Sequence, residues 1–224
     1  LGFSVTHVYH AAAVMVVADA QERQNHSRTV RYINYCLINE RRHCSSPYGT
    51  PVHAVSVYHS VSGRSLAIDL KIPALSNYNH KELDGDHLRQ QFLEIATNVR
   101  DFYVQIRDDP EHISMIPSYW AMSMIPYPPG GTTPPVPSPN LTPSVSISSM
   151  GLVEKVISTK HGVFDLEDPW VTGEELGTGL GLFLGTWKGQ LTLSAAYNDA
   201  FHDRPKILEF TERCNRLVAQ ALRV

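Results

Sequence analysis

The chain has 224 residues, 42% of them hydrophobic and 18% charged, and 22 acidic against 19 basic side chains leave a formal net charge of −3. That length supports a lobe with a real core, and the charge balance, with no basic block or helix face, gives no footprint for nucleic acid. No apolar run approaches the roughly 20 residues needed to span a bilayer. The opening LGFSVTHVYH lacks the basic-then-apolar order of a signal peptide. It begins without methionine, at what looks like the approach to a helix, and a piece of a longer polypeptide is expected. Cys36, Cys44 and Cys214 are odd in number and scattered, with no CxxC, which argues against a disulfide framework or zinc site and fits a reducing cytoplasm. Asn25-His-Ser and Asn140-Leu-Thr spell glycosylation sequons, which carry little weight without a signal peptide.

Ser4-Val5-Thr6 has the character of a helix start, with Val5, Val8, Ala12, Met15 and Val16 at helical spacing. The helix runs out in the polar stretch from Asp19 to Ser27. TVRYINYCLI (29–38) is β-branched and aromatic, a strand apolar on both faces, and 39–51 is loop-like. VHAVSVYHS (52–60) alternates, Ser62-Gly63 marks a turn, and SLAIDL (65–70) is expected as the partner strand. With Asp84 or Asp86 as cap, Leu88, Phe92, Ile95, Val99, Phe102 and Ile106 then fall on one stripe of a long helix, which Asp109-Pro110 ends. Eight prolines between 126 and 143 forbid a ladder or a helix and predict a long surface loop within one domain. VSISSMG (145–151) and VEKVIS (153–158) follow, then a loop over 161–178. GLGLFLGTW (179–187) and QLTLSAAY (190–197) flank a Lys188-Gly189 hairpin turn. A closing helix carries Ile207, Phe210, Cys214, Leu217 and Ala221 on one face. The pattern is a mixed α/β layer with antiparallel hairpins and no internal repeat.

Eleven histidines raise the question of a metal. His7 and His10 share a helical face, but no HExxH or other paired spacing accompanies them, and a zinc site needs three or four converging ligands. No metal site is expected. His80-Lys-Glu-Leu-Asp84-Gly85 spells HxxxDG, yet Asn79 stands before it and the segment lies at the start of the long helix, where Asp84 and Gly85 already have a structural job. There is no nucleophile elbow and no phosphate or dinucleotide fingerprint. Gly177-Thr-Gly-Leu-Gly181 precedes a strand, the wrong context for a phosphate. Ser148 and Ser149 end a strand and can present hydroxyls to a ligand, a weak signal alone.

Residues 144–224 carry a stronger pattern. SVSISSMG, then DLEDPWVTGEELGTGLGLFLGTWKGQLTLSAAYNDAFHD and the closing helix, resemble the C-terminal end of fungal condensation-type, CoA-dependent acyltransferases of secondary metabolism. They resemble more distantly the condensation domains of peptide synthetases and plant-type alcohol acyltransferases. GFSVTHVYHAAAVMVVA and TVRYINYCLINERR resemble the helix and strand that open the second lobe of that fold. The resemblance implies a chloramphenicol-acetyltransferase-like lobe over 1–224, one of two that enclose a tunnel. It implies acyl transfer, most often of acetyl, from acyl-CoA as co-substrate to a small-molecule alcohol, with no bound cofactor. The catalytic histidine of HHxxxDG then comes from the N-terminal lobe, the missing partner, so no catalytic residue is assigned in this chain. Ser148 and Ser149 match the tunnel strand and are expected in substrate positioning or as oxyanion donors. Trp187 is carried as a further substrate contact, although Trp187 and Tyr197 on hairpin strands ordinarily serve a core. Asp168 and Trp170 lie where plant-type relatives carry DFGWG. DLEDPW does not match that motif, and both are expected to be structural.

A reading from another class stays open: a free-standing lobe without acyl transfer, which binds a metabolite, folds it for cyclisation or acts as a scaffold. A condensation domain fed by a carrier-protein thioester is a third.

Overall fold

A computed structural model describes residues 2–50, 58–77, 85–123, 130, 136, 138–139, 145–173 and 175–223. The HxxxDG residues His80 and Asp84 lie outside these, as do most of the proline-rich stretch and residues 51–57. The chain divides into two compact units, the first of residues 1–34, 65–105 and 203–224, the second of 35–64 and 106–202.

In the first unit Ser4 caps α1 (Val5–Asp19): its hydroxyl accepts from the His7 N–H, and the His7 ring accepts from the Ser4 N–H. Two donors left over at a helix start are thereby satisfied. The sequence spacing suggests a stripe, but every residue from Val8 to Val16 is buried and Val5 is the exposed one. A helix apolar on all sides is a central helix. Ala11, Ala12 and Ala13, at most 1% exposed, let neighbours approach its axis. α1 packs on α4 (Arg204–Leu222), where Tyr9 donates to Asn215 Oδ1 at 3.0 Å and Asp19 binds both Arg23 and Arg213. Burial works against the charge of Asp19, but the two arginines outweigh it and hold its pKa below the usual range. Asp203 caps α4, and the face carrying Ile207, Cys214, Val218 and Ala221 is buried.

β1 (Arg28–Asn34) pairs antiparallel with β4 (Leu66–Ile72). Leu66, Ile68, Leu70 and Ile72 point inward while Ala67, Asp69 and Lys71 point out, as period-two alternation requires. α2 (Gly85–Arg107) buries Phe92, Ile95 and Val99 from its apolar stripe.

The second unit corrects the strand reading. TVRYINYCLI is two strands, because the ladder breaks at Tyr35-Cys36 and β2 (Leu37–Asn39) pairs instead with β3 (His59–Val61). Of the hairpin expected between 52–60 and 65–70, residues 52–57 lie outside the described ones, and the described part pairs otherwise: β3 joins β2 and β4 joins β1. Ser62, which looks like a turn residue, is buried; its hydroxyl accepts from the Cys36 N–H at 2.9 Å and donates to the Arg64 carbonyl at 2.8 Å. α3 (Pro110–Ser123) follows directly after Asp109-Pro110. That proline, taken from sequence as a stop, also serves as a first-turn residue, where its missing N–H costs nothing. VEKVIS becomes a short 3-10 turn over Val153–Lys155, and a two-residue-per-strand hairpin, β6 (Lys160–His161) and β7 (Phe164–Asp165), interrupts the expected loop.

β5 (Val145–Leu152), β8 (Leu180–Trp187) and β9 (Gln190–Ala196) form the largest sheet among the described residues. Its order is β5-β8-β9, parallel between β5 and β8 and antiparallel between β8 and β9. Lys188 and Gly189 both take positive φ, 47° and 79°, as the two central positions of a type I′ turn demand. No helix among the described residues is long and apolar enough to cross a membrane.

Candidate functional site

Register and pleat divide the β5–β8–β9 sheet into unlike faces. Aligned partners share a face, so Val145, Ile147 and Ser149 lie beside Leu180, Leu182 and Leu184, and Leu182, Leu184 and Thr186 beside Ala195, Leu193 and Leu191. Leu182 and Leu184 are 1% exposed there, which makes this the core side. The opposite face carries Ser146, Ser148 and Met150, then Gly181, Phe183 and Gly185, then Ala196, Ser194 and Thr192. It is small, hydroxyl-bearing and half-exposed over most of its area, and no lysine or arginine occupies these positions.

The two predicted serines therefore part company. Ser148 is on the open face beside Phe183 and its hydroxyl makes no hydrogen bond to a described residue, whereas Ser149 aligns with Leu184 on the leucine side, next to an irregularity in the ladder. Trp187 has the parity of Phe183 at the far end of β8 but is buried, its Nε1 without an acceptor among the described residues and Lys188 Nζ 5.8 Å from its ring. Asp168 takes a positive φ of 44° at an exposed bend, and Trp170 is 75% exposed.

A strap crosses the open face. A Cβ placed on Gly173 would lie 3.1 Å from the Phe183 ring, and one on Gly181 would lie 2.6 Å from Glu175 Oε1. Glycine in a strand marks such a close approach. Beyond it the strap is tied down, since Asn198 Nδ2 donates to the Leu176 carbonyl and His202 Nε2 to the Thr178 carbonyl, both at 2.9 Å. Glu175 is half-buried, burial pushes its pKa up, and it makes no hydrogen bond or ion pair to a described residue. The sequence reading did not single it out. The available signal was the glycine at 181, aligned on one strand face with Phe183 and Gly185.

Two buried polar clusters also escaped the sequence. In the first unit the Asn34 amide donates to the Tyr32 hydroxyl at 2.7 Å, and that hydroxyl lies 3.0 Å from His10 Nε2. Hydroxyl and ring share one hydrogen bond, whose direction follows the ring tautomer. Burial, with a smaller push from His7, lowers the His10 pKa to about 3. In the second unit His112 Nε2 lies 2.9 Å from Ser60 Oγ and 3.0 Å from Glu40 Oε1, and Ser60 donates to that same carboxylate. Serine, histidine and acid together suggest a nucleophile relay, but a relay needs the hydroxyl on one ring nitrogen and the acid on the other. Here both sit on Nε2, Nδ1 has no partner, and Ser60 is 1% exposed. The cluster is a tie between β2, β3 and α3. Among the described residues no group of histidines, cysteines and acids is placed to hold a metal ion.

No family model matches the sequence, and no curated protein matches it. Against solved structures, 98% of the chain superposes on 42% of the trichothecene 15-O-acetyltransferase of Fusarium sporotrichioides, with a TM-score of 0.70 and 16% identity. The chain has the fold of half a condensation-type acyltransferase. It spans well under half the length of that enzyme's chain. The epimerization domain from the third module of tyrocidine synthetase B also matches, over 99% of this chain and 42% of its own, at a TM-score of 0.47 and 10% identity.

Proposed function

We propose that this half-fold is one lobe of an acyltransferase that moves an acyl group, acetyl in the simplest case, from acyl-CoA to the hydroxyl of a small molecule. The observation that carries the reading is the superposition of nearly the whole chain on less than half of an O-acetyltransferase. The site geometry agrees with it. In this reading the acceptor hydroxyl loses its proton to a histidine supplied by the other lobe and attacks the thioester carbonyl. The tetrahedral oxyanion then collapses, and the CoA thiolate leaves and takes up a proton. This half supplies position and hydrogen bonds, and Ser148 is the side chain best placed to do so, since its hydroxyl is open and uncommitted. Ser149 and Trp187 have weaker claims, one on the leucine side and the other buried. Asp168 and Trp170 keep a structural assignment.

The test uses the native protein that contains this chain, purified whole, with acetyl-CoA and a panel of alcohols, and reads release of the CoA thiol. The whole protein turns over and the 224 residues alone do not. Ser148→Ala in the whole protein lowers kcat/KM about tenfold or more, as loss of a transition-state donor does. Thiol release by the 224 residues alone at the rate of the whole protein would place the base in this chain and end the reading.

A further inference from the structure

The open sheet face holds a carboxyl that nothing described in the chain uses. Glu175 Oε1 rests against Gly181, in register with Ser146 on one side and Ala196 on the other, one pleat from Ser148 and Phe183. The contact depends on glycine, because a Cβ at 181 would lie 2.6 Å from the oxygen. It also depends on the strap, which Asn198 and His202 fasten on its C-terminal side. A carboxyl has about four acceptor sites, and those of Glu175 have no hydrogen bond or ion pair to a described residue. The groups around it are hydroxyls that can donate or accept, glycines, and one aromatic ring. Among the described positions of this face no lysine or arginine stands to balance its charge. The Ser146 hydroxyl, in register with Gly181, turns to the Leu180 carbonyl at 3.5 Å, so the chain offers Glu175 no donor there and a ligand on this face can supply one.

We propose that Glu175 is a specificity-determining residue that accepts hydrogen bonds from a neutral, hydroxyl-rich ligand lying along β5 and β8. The same residue turns away anions, which bring no donor and meet a carboxyl without a counter-charge. If this lobe serves acyl transfer as proposed above, the ligand is the acceptor alcohol and not the phosphate-bearing end of CoA. That identification rests on the proposed function; the binding preference does not.

The experiment separates the two. The 224-residue chain, labelled with carbon-13 at its glutamate carboxyls, is titrated with trans-1,2-cyclohexanediol and, in parallel, with cyclohexanecarboxylate, an anion of the same ring size. The Glu175 resonance, assigned by its disappearance in Glu175→Gln, shifts saturably with the diol and stays still with the anion. Affinity for the diol, followed at the Ser148 amide, falls about fivefold in Glu175→Ala, the effect of a charged hydrogen bond reduced by partial exposure. Glu175→Gln, which keeps a neutral acceptor of the same shape, falls between. In the whole protein the same substitutions raise KM for the diol, with kcat within about twofold and KM for acetyl-CoA unchanged, the pattern of lost uniform binding. No saturable shift, equal affinity in Glu175→Ala, or equal binding of the anion overturns the proposal. Glutamate-dependent binding by the chain, with no acetyl transfer by the whole protein, upholds it and overturns the function above instead.

Discussion

Each compact unit seals a histidine against a hydroxyl, and the two arrangements differ in the third member. In the first unit the third member is the Asn34 amide, in the second the Glu40 carboxylate. An amide has no charge to offset an imidazolium. His10 therefore belongs to the core as a neutral ring, edge-on to Tyr32 and Tyr103 with centroids 5.8 and 6.0 Å away. The second cluster is charge-assisted and joins elements that are 20, 52 and 72 residues apart pair by pair. Such a tie fixes geometry more than it adds net stability, because taking a carboxylate out of water costs nearly what its hydrogen bonds return. One histidine is filling; the other is a fastener.

The largest test of that difference is acid. His10 has its pKa lowered from 6.5 to about 3 in the folded state, so between those values the unfolded chain binds the proton and the folded chain does not. Stability from this group is complete above pH 6.5 and is lost as pH falls towards 3, on the order of 5 kcal/mol if the full shift is realised. Hydrogen exchange at the amides of Ala11 to Val14 checks it, and protection that stays flat across the window breaks the contrast. Next in size is His112→Ala. It removes one of the two donors at Glu40 Oε1 and leaves that of Ser60, on a carboxylate whose side chain is 12% exposed, and costs about 3 kcal/mol. Denaturant midpoints measure that loss, and Glu40→Gln added to His112→Ala recovers part of it. The smallest is Tyr32→Phe, which leaves His10 Nε2 and an Asn34 N–H without their shared hydroxyl and costs about 1–3 kcal/mol in the same measurement. A cost equal to that of His112→Ala would erase the distinction between amide and carboxylate.

What the sequence could disclose followed the range of the interactions that built each element. The stripe of α2 and the Lys188-Gly189 turn are local patterns, and they appear where spacing puts them. The closing helix is local too, with Asp203 as its cap. The break at Tyr35-Cys36 is not local: TVRYINYCLI has strand propensity throughout, and only its distant partners, β4 and β3, decide that it serves two ladders. α3 was hidden because Pro110 can end a helix or begin one, and Pro117 inside it weakens the pattern further. For the site, family likeness pointed to β5, but adjacent serines alternate faces in a pleat, so Ser148 and Ser149 were never one feature. Glu175 was invisible until the glycine beneath it was placed. The polar clusters have no motif, since each draws its members from separate elements.

The discontinuity of the first unit has a consequence for synthesis. Tyr9 precedes its partner Asn215 by 206 positions, and Asp19 precedes Arg213 by 194. At the usual pace of translation, α1 leaves the ribosome roughly 10 to 40 seconds before the helix that covers it. Every segment of the second unit, with its hydroxyl face and strap, is made in that interval. The unit that bears the candidate site can therefore complete itself first, while the side of α1 that meets α4 waits uncovered. In that interval the uncovered side of α1 is open to chaperones and proteases.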